Sequence, residues 1–145
     1  MTRAGLVCAL APTAIAICLP AGSALAQVRA KADVACRPVA ATLQYDCIVR
    51  LMNLRTNEPL TGVTLLVGAD MPSMPMMHNV RPVKATPGQE AGTYQARLVL
   101  EMHGDWALQL NLSGPVRDRV VTVIRFDPDR AMPPTAPKAQ PRHKH

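Results

Sequence analysis

From residue 93 to residue 112 the chain alternates apolar and polar side chains almost without a break. Tyr94, Ala96, Leu98, Leu100 and Met102 take every second position, with Gln95, Arg97 and Glu101 between them. Trp106, Leu108, Leu110 and Leu112 do the same around Gln109 and Asn111. A period of two puts the apolar set on one face of an extended strand, whereas a helix would need a repeat near 3.6. The pattern restricts the chain to a β architecture with buried sheet faces. It also predicts a β-hairpin that turns at His103-Gly104-Asp105.

The rest of the chain agrees. Residues 33–36 read as a short strand. Residues 45–54 place Cys47, Val49 and Leu51 on one face, and Val63, Leu65 and Val67 share a face in a third strand. A shorter strand over 79–84 stops at the turn signals Thr86-Pro87-Gly88 and Ala91-Gly92. A last one, over 116–126, follows Ser113-Gly114-Pro115 and points Val120, Ile124 and Phe126 inward. Short strands at regular spacing around a single Trp predict an all-β, immunoglobulin-like sandwich of about seven antiparallel strands.

The two ends read differently. Residues 1–26 have the layout of a cleaved signal peptide: Arg3, an apolar stretch over 6–19, then Ala24-Leu25-Ala26 before the cut. The apolar stretch, interrupted by Pro12 and Pro20, is shorter than the roughly 20 residues of a membrane span, so no span is expected after cleavage. Ile17 ahead of Cys18 argues against a lipoprotein site. The β-sandwich domain is expected over 27–126. Residues 127–145 carry five prolines among polar residues and are expected to be a disordered tail.

Export to the periplasm would remove Cys8 and Cys18 and leave Cys36 and Cys47 in an oxidising setting, where an even pair reads as a disulfide. A dithiolate metal site is the rival, and it lacks CxxC spacing. The formal charge of +6 drops by one with Arg3, and the basic residues are scattered, so no nucleic-acid footprint is present. There is no Ser/His/acid spacing, phosphate loop or persuasive carboxylate pair, and the chain does not read as an enzyme.

Chemistry concentrates in Met71-Pro72-Ser73-Met74-Pro75-Met76-Met77-His78. The two prolines stop the segment from pairing as an ordinary strand. Thioether sulfur is a soft, uncharged donor and imidazole a borderline one. The set suits Cu(I) or Ag(I) better than oxygen-seeking Mg²⁺ or Ca²⁺, or thiolate- and imidazole-seeking Zn²⁺. Met102-His103 forms a second element. Two antiparallel reversals between residue 69 and residue 102 bring both elements to one end of the sandwich.

Each residue also has a plain reading. Met102 could fill the core beside Leu98 and Leu100, His103 could be a solvated turn residue, and Trp106 is expected to pack inward. His143 and His145 read as solvated tail with a minor role in recruiting metal. A metal-free module docking through the Met-rich loop on a partner such as an efflux component is the main alternative, and sacrificial oxidation of the methionines a third.

The Met71 to His78 run, then Gly92-x-Tyr94, then Met102-x-Gly104-x-Trp106, resembles the YtkA-like/FixH-like family of small exported or membrane-tethered β-sandwich domains, over roughly residues 53–126. The resemblance implies an immunoglobulin-like fold and a link to copper handling, in efflux or in supply to respiratory oxidases. Carried over by position, it points to Met74, Met76, Met77, His78 and Met102, without deciding among the adjacent methionines. FixH-like relatives usually keep an anchor. A chain that loses its apolar N-terminus would rather be a soluble shuttle.

Overall fold

The structure is a computed structural model and describes residues 27–39 and 42–134. The expected signal peptide and the last part of the expected tail, residues 135–145 with His143 and His145, lie outside the described residues. Nine strands form among the described residues: β1 (Ala30–Pro38), β2 (Gln44–Asn53), β3 (Thr64–Asp70), β4 (Asn79–Lys84), β5 (Thr86–Pro87), β6 (Thr93–Val99), β7 (Gly104–Ser113), β8 (Asp118–Phe126) and β9 (Ala131–Met132). No helix occurs among the described residues, and hence none long and apolar enough to cross a membrane.

The strands build two antiparallel sheets, ordered β1-β2-β6-β5 and β4-β3-β7-β8-β9. The first, second, sixth and fifth strands thus face the third, seventh and eighth, the arrangement of an immunoglobulin constant-type sandwich with added edge strands. The alternating residues supply the core. Val49, Leu51 and Leu98 of one sheet and Leu65, Val67, Trp106, Leu108, Leu110 and Phe126 of the other are fully buried. Each such side chain stabilises the fold by roughly 1.5–3 kcal/mol relative to exposure.

Three sequence expectations need correction. The alternating segments around residue 103 do not form a hairpin. β6 pairs with β2, β7 pairs with β3 and β8, and the two sit in opposite sheets. Period-two patterning reports that a strand buries one face. It does not say whether the next strand lies beside it or across the core. The first strand is also longer than 33–36, because its outward face is polar and only Ala30, Ala32, Val34 and Cys36 turn toward the core. Finally, the expected tail includes a paired strand: Ala131 and Met132 lie opposite Phe126 and Arg125. Tyr45 secures that return, its hydroxyl donating to the Asp127 carbonyl at 2.7 Å while its ring meets Phe126 edge-on at 4.7 Å.

Two further ties brace the fold, one within a sheet and one between the sheets. Cys36 and Cys47 face each other in the β1–β2 register and form a disulfide. At the far pole the Asp118 carboxylate of β8 accepts from the backbone N–H of Ala30 at 2.8 Å and of Arg119 at 2.9 Å, and pairs with Arg29 at 3.3 Å. Burial would raise the Asp118 pKa, yet the two N–H donors and Arg29 outweigh it and hold the carboxyl below its ordinary value.

Candidate metal centre

β3 and β7 are hydrogen-bonded neighbours, with Asp70 opposite Ala107. The connection leaving β3 and the one entering β7 therefore meet at one pole, which sets residues 71–78 beside residues 100–103. Between them opens a cleft of about 660 Å³, lined by Met71, Met74, Met102, His103 and Asp105, with Val123 and Arg125 of β8 on its flank.

The 71–78 loop is built from two successive turns. Met71 is 3% exposed and joins the core, so one of the four loop methionines is structural. The Met74 N–H donates to the Met71 carbonyl at 3.0 Å, and the Met77 N–H to the Met74 carbonyl at 3.2 Å. In the second turn Pro75 is followed by Met76 at φ 65°. Pro and then a positive φ is the pattern of a type II turn, whose third position ordinarily falls to Gly or Asn. Met74 remains 37% exposed beside the cleft, whereas Met76 and Met77 stand at 89% and 76% and do not line it.

The 100–103 turn is braced from inside. Leu100 is buried and its N–H donates to the Leu43 carbonyl at 2.9 Å. Trp106, fully buried, donates its indole N–H to the Met102 carbonyl at 3.1 Å. It packs inward as expected and also fixes the backbone of a candidate ligand. Gly104 has φ 141°, a conformation that strains any other residue, and its missing Cβ leaves room for the Met71 Cε, which would otherwise lie 3.3 Å away. Met102 does not join the core beside Leu98 and Leu100: β6 ends at Val99, and its side chain stays 36% exposed in the cleft. The two segments also touch directly, His78 Nδ1 contacting the Glu101 carboxylate.

Charges nearby are mostly spoken for. Asp105 pairs with Arg125 at 3.3 Å, and Glu101 is engaged by His78. Asp70, one residue before Met71, keeps Oδ1 buried without a hydrogen-bond partner. Asp70 does not line the cleft. Among the described residues no three His, Cys, Asp or Glu side chains are grouped to hold an ion. The donors this cleft offers are the thioethers of Met74 and Met102 and the imidazole of His103, a soft set that fits a monovalent soft cation.

Of the residues singled out from sequence, Met74, Met102 and His103 share the cleft, whereas His78 does not line it and contacts Glu101. Met76 and Met77 face solvent. Sequence reasoning missed Glu101, Asp105, Val123 and Arg125. The β8 pair becomes visible only through the register that sets Arg125 opposite Asp105 and Val123 opposite Ala107.

The remaining motif residues serve the fold. Gly92 has φ 74°, and a Cβ there would fall 2.8 Å from the Leu51 carbonyl oxygen and from the Pro59 Cβ. Tyr94 is buried, its hydroxyl accepting from the Val63 N–H at 3.2 Å and donating to the Leu60 carbonyl at 2.9 Å. Both hold the 54–63 connection in place where it crosses between the sheets. No curated protein and no solved structure matches the chain. The family model described as YtkA-like matches residues 38–111, from the end of β1 through most of β7, and includes both the loop and the turn. With just over half of its length matched, the chain belongs to the YtkA-like family.

Proposed function

We propose that the protein is an exported, periplasmic carrier of Cu(I), whose cargo is held by Met74, Met102 and His103. The observation that carries this reading is the convergence of two donor segments, separated in sequence by β4 to β6, on one open cleft. Thioethers bind without losing a proton, so uptake through Met74 and Met102 need not compete with acid as thiolate binding does. An open site on a rigid sandwich suits a carrier, because an incoming ligand can replace one donor at a time. Efflux or oxidase-assembly proteins of the same compartment are the receivers proposed. The Cys36–Cys47 disulfide is what an oxidising compartment allows.

Titration of the reduced Cu(I) ion against a coloured competing chelator tests the reading. One tight equivalent is expected, and Met74→Ala combined with Met102→Ala should weaken it by about 100-fold or more, or about 2.7 kcal/mol. Unchanged affinity in the double variant would contradict the assignment. Export is checked by the mass of the protein recovered from the producing cell, expected to begin at Gln27.

A second reading has one observation in its favour. Met76 and Met77 present apolar, adaptable surface to solvent. Docking on a partner without metal is what that surface would serve if Cu(I) does not bind.

A further inference from the structure

Met76 breaks a local rule. It occupies the positive-φ position of a Pro-initiated turn, where glycine would be unstrained, and the side chain it adds is 89% exposed. Burial therefore does not repay the backbone conformation. Unrepaid strain in a loop next to a binding cleft points to use of the side chain itself. Met77 follows at 76% exposure, and the turn that carries both is closed by the Met77 N–H on the Met74 carbonyl. The outer methionines are thus linked through one hydrogen-bonded turn to a methionine that lines the cleft.

We propose that Met76 and Met77 form an outward-facing thioether station through which a soft monovalent metal enters and leaves, the partner being a protein segment that presents its own methionine sulfur. The inference rests on the carrier reading above and adds a route to it. In each exchange a bond from the metal to a partner thioether breaks as one to Met76 or Met77 forms. The metal then passes to Met74 and the cleft by the same substitution. No proton or electron moves, and the metal keeps its oxidation state. An extended apolar side chain with several rotatable bonds suits this task, since it can follow the metal between two surfaces.

The test separates speed from affinity. The protein and its Met76→Ala/Met77→Ala variant are each mixed in a stopped-flow instrument with Cu(I) bound to a synthetic methionine-rich peptide, and separately equilibrated with Cu(I) and a coloured chelator. The variant is expected to keep its equilibrium affinity within about threefold and to take the metal from the peptide at least tenfold more slowly. Met76→Gly, which relieves the turn, should fold at least as stably and slow transfer partway. An unchanged transfer rate would overturn the proposal, and so would an affinity loss as large as the loss in rate, which would make these residues ordinary ligands. Failure of the unaltered protein to take up Cu(I) at all would remove the carrier reading and this route together.

Discussion

The two halves of the cleft are built to different standards. The 100–103 turn rests on buried Leu100, on the indole hydrogen bond from Trp106 and on a glycine seated against Met71. The 71–78 loop has one buried side chain, two of its own turns and the His78 contact with Glu101 to hold it. Met102 is therefore delivered to the cleft by the core, and Met74 by a lightly anchored loop. On the proposed reading, a site assembled this way would have one donor set in advance and one that can yield, the compromise a carrier would need between holding and releasing cargo.

The contrast can be broken most forcefully at Trp106. Trp106→Ala should cost about 3–5 kcal/mol in urea unfolding, because it empties the centre of the core beneath the turn. Trp106→Phe keeps most of the packing and removes the N–H. It should cost about 1 kcal/mol and weaken Cu(I) binding as well, since the Met102 carbonyl loses its tether. Within the loop the contrast sharpens: Met71→Ala should destabilise by about 2 kcal/mol or more, whereas Met77→Ala should stay within about 0.5 kcal/mol of the parent.

Acid should separate fold from site. Asp118 has its pKa lowered on folding, so the unfolded chain binds its proton more readily. The stability it contributes is present above the ordinary carboxylate range near pH 4 and is lost as pH falls through the depressed value. Thermal unfolding followed from pH 6 to pH 2 should show that decline, and Asp118→Asn should flatten it. A modest gain is expected at Met76→Gly, which should raise stability by up to about 1 kcal/mol by relieving the positive φ.

Much of this was legible in the chain because the relevant physics is local. Alternation around Leu98 and Leu108 revealed two half-buried strands, and Cys36 and Cys47 showed themselves as a pair. The Met-rich run stood out because prolines and soft donors seldom mix without a reason, and both donor segments do meet at one pole. What escaped was long-range. Whether β6 and β7 share a sheet depends on which neighbours outcompete each other for pairing, and no residue within either strand encodes that. The same limit hid Val123 and Arg125, which reach the cleft only through the β7–β8 register, and the return of Ala131 and Met132 to β8. The exposure of Met76 and Met77, against the burial of Met71, turns on loop geometry that composition cannot report.

The central claim is that one metal ion draws donors from both segments at once. X-ray absorption at the copper edge, on the Cu(I)-loaded protein and on Met74→Ala and Met102→Ala singly, tests it most directly. Sulfur and nitrogen should both scatter at bonding distance, and each substitution should remove one sulfur from the ion's coordination sphere. A sulfur count that survives either substitution would contradict the account, because the ion would then be held without that segment.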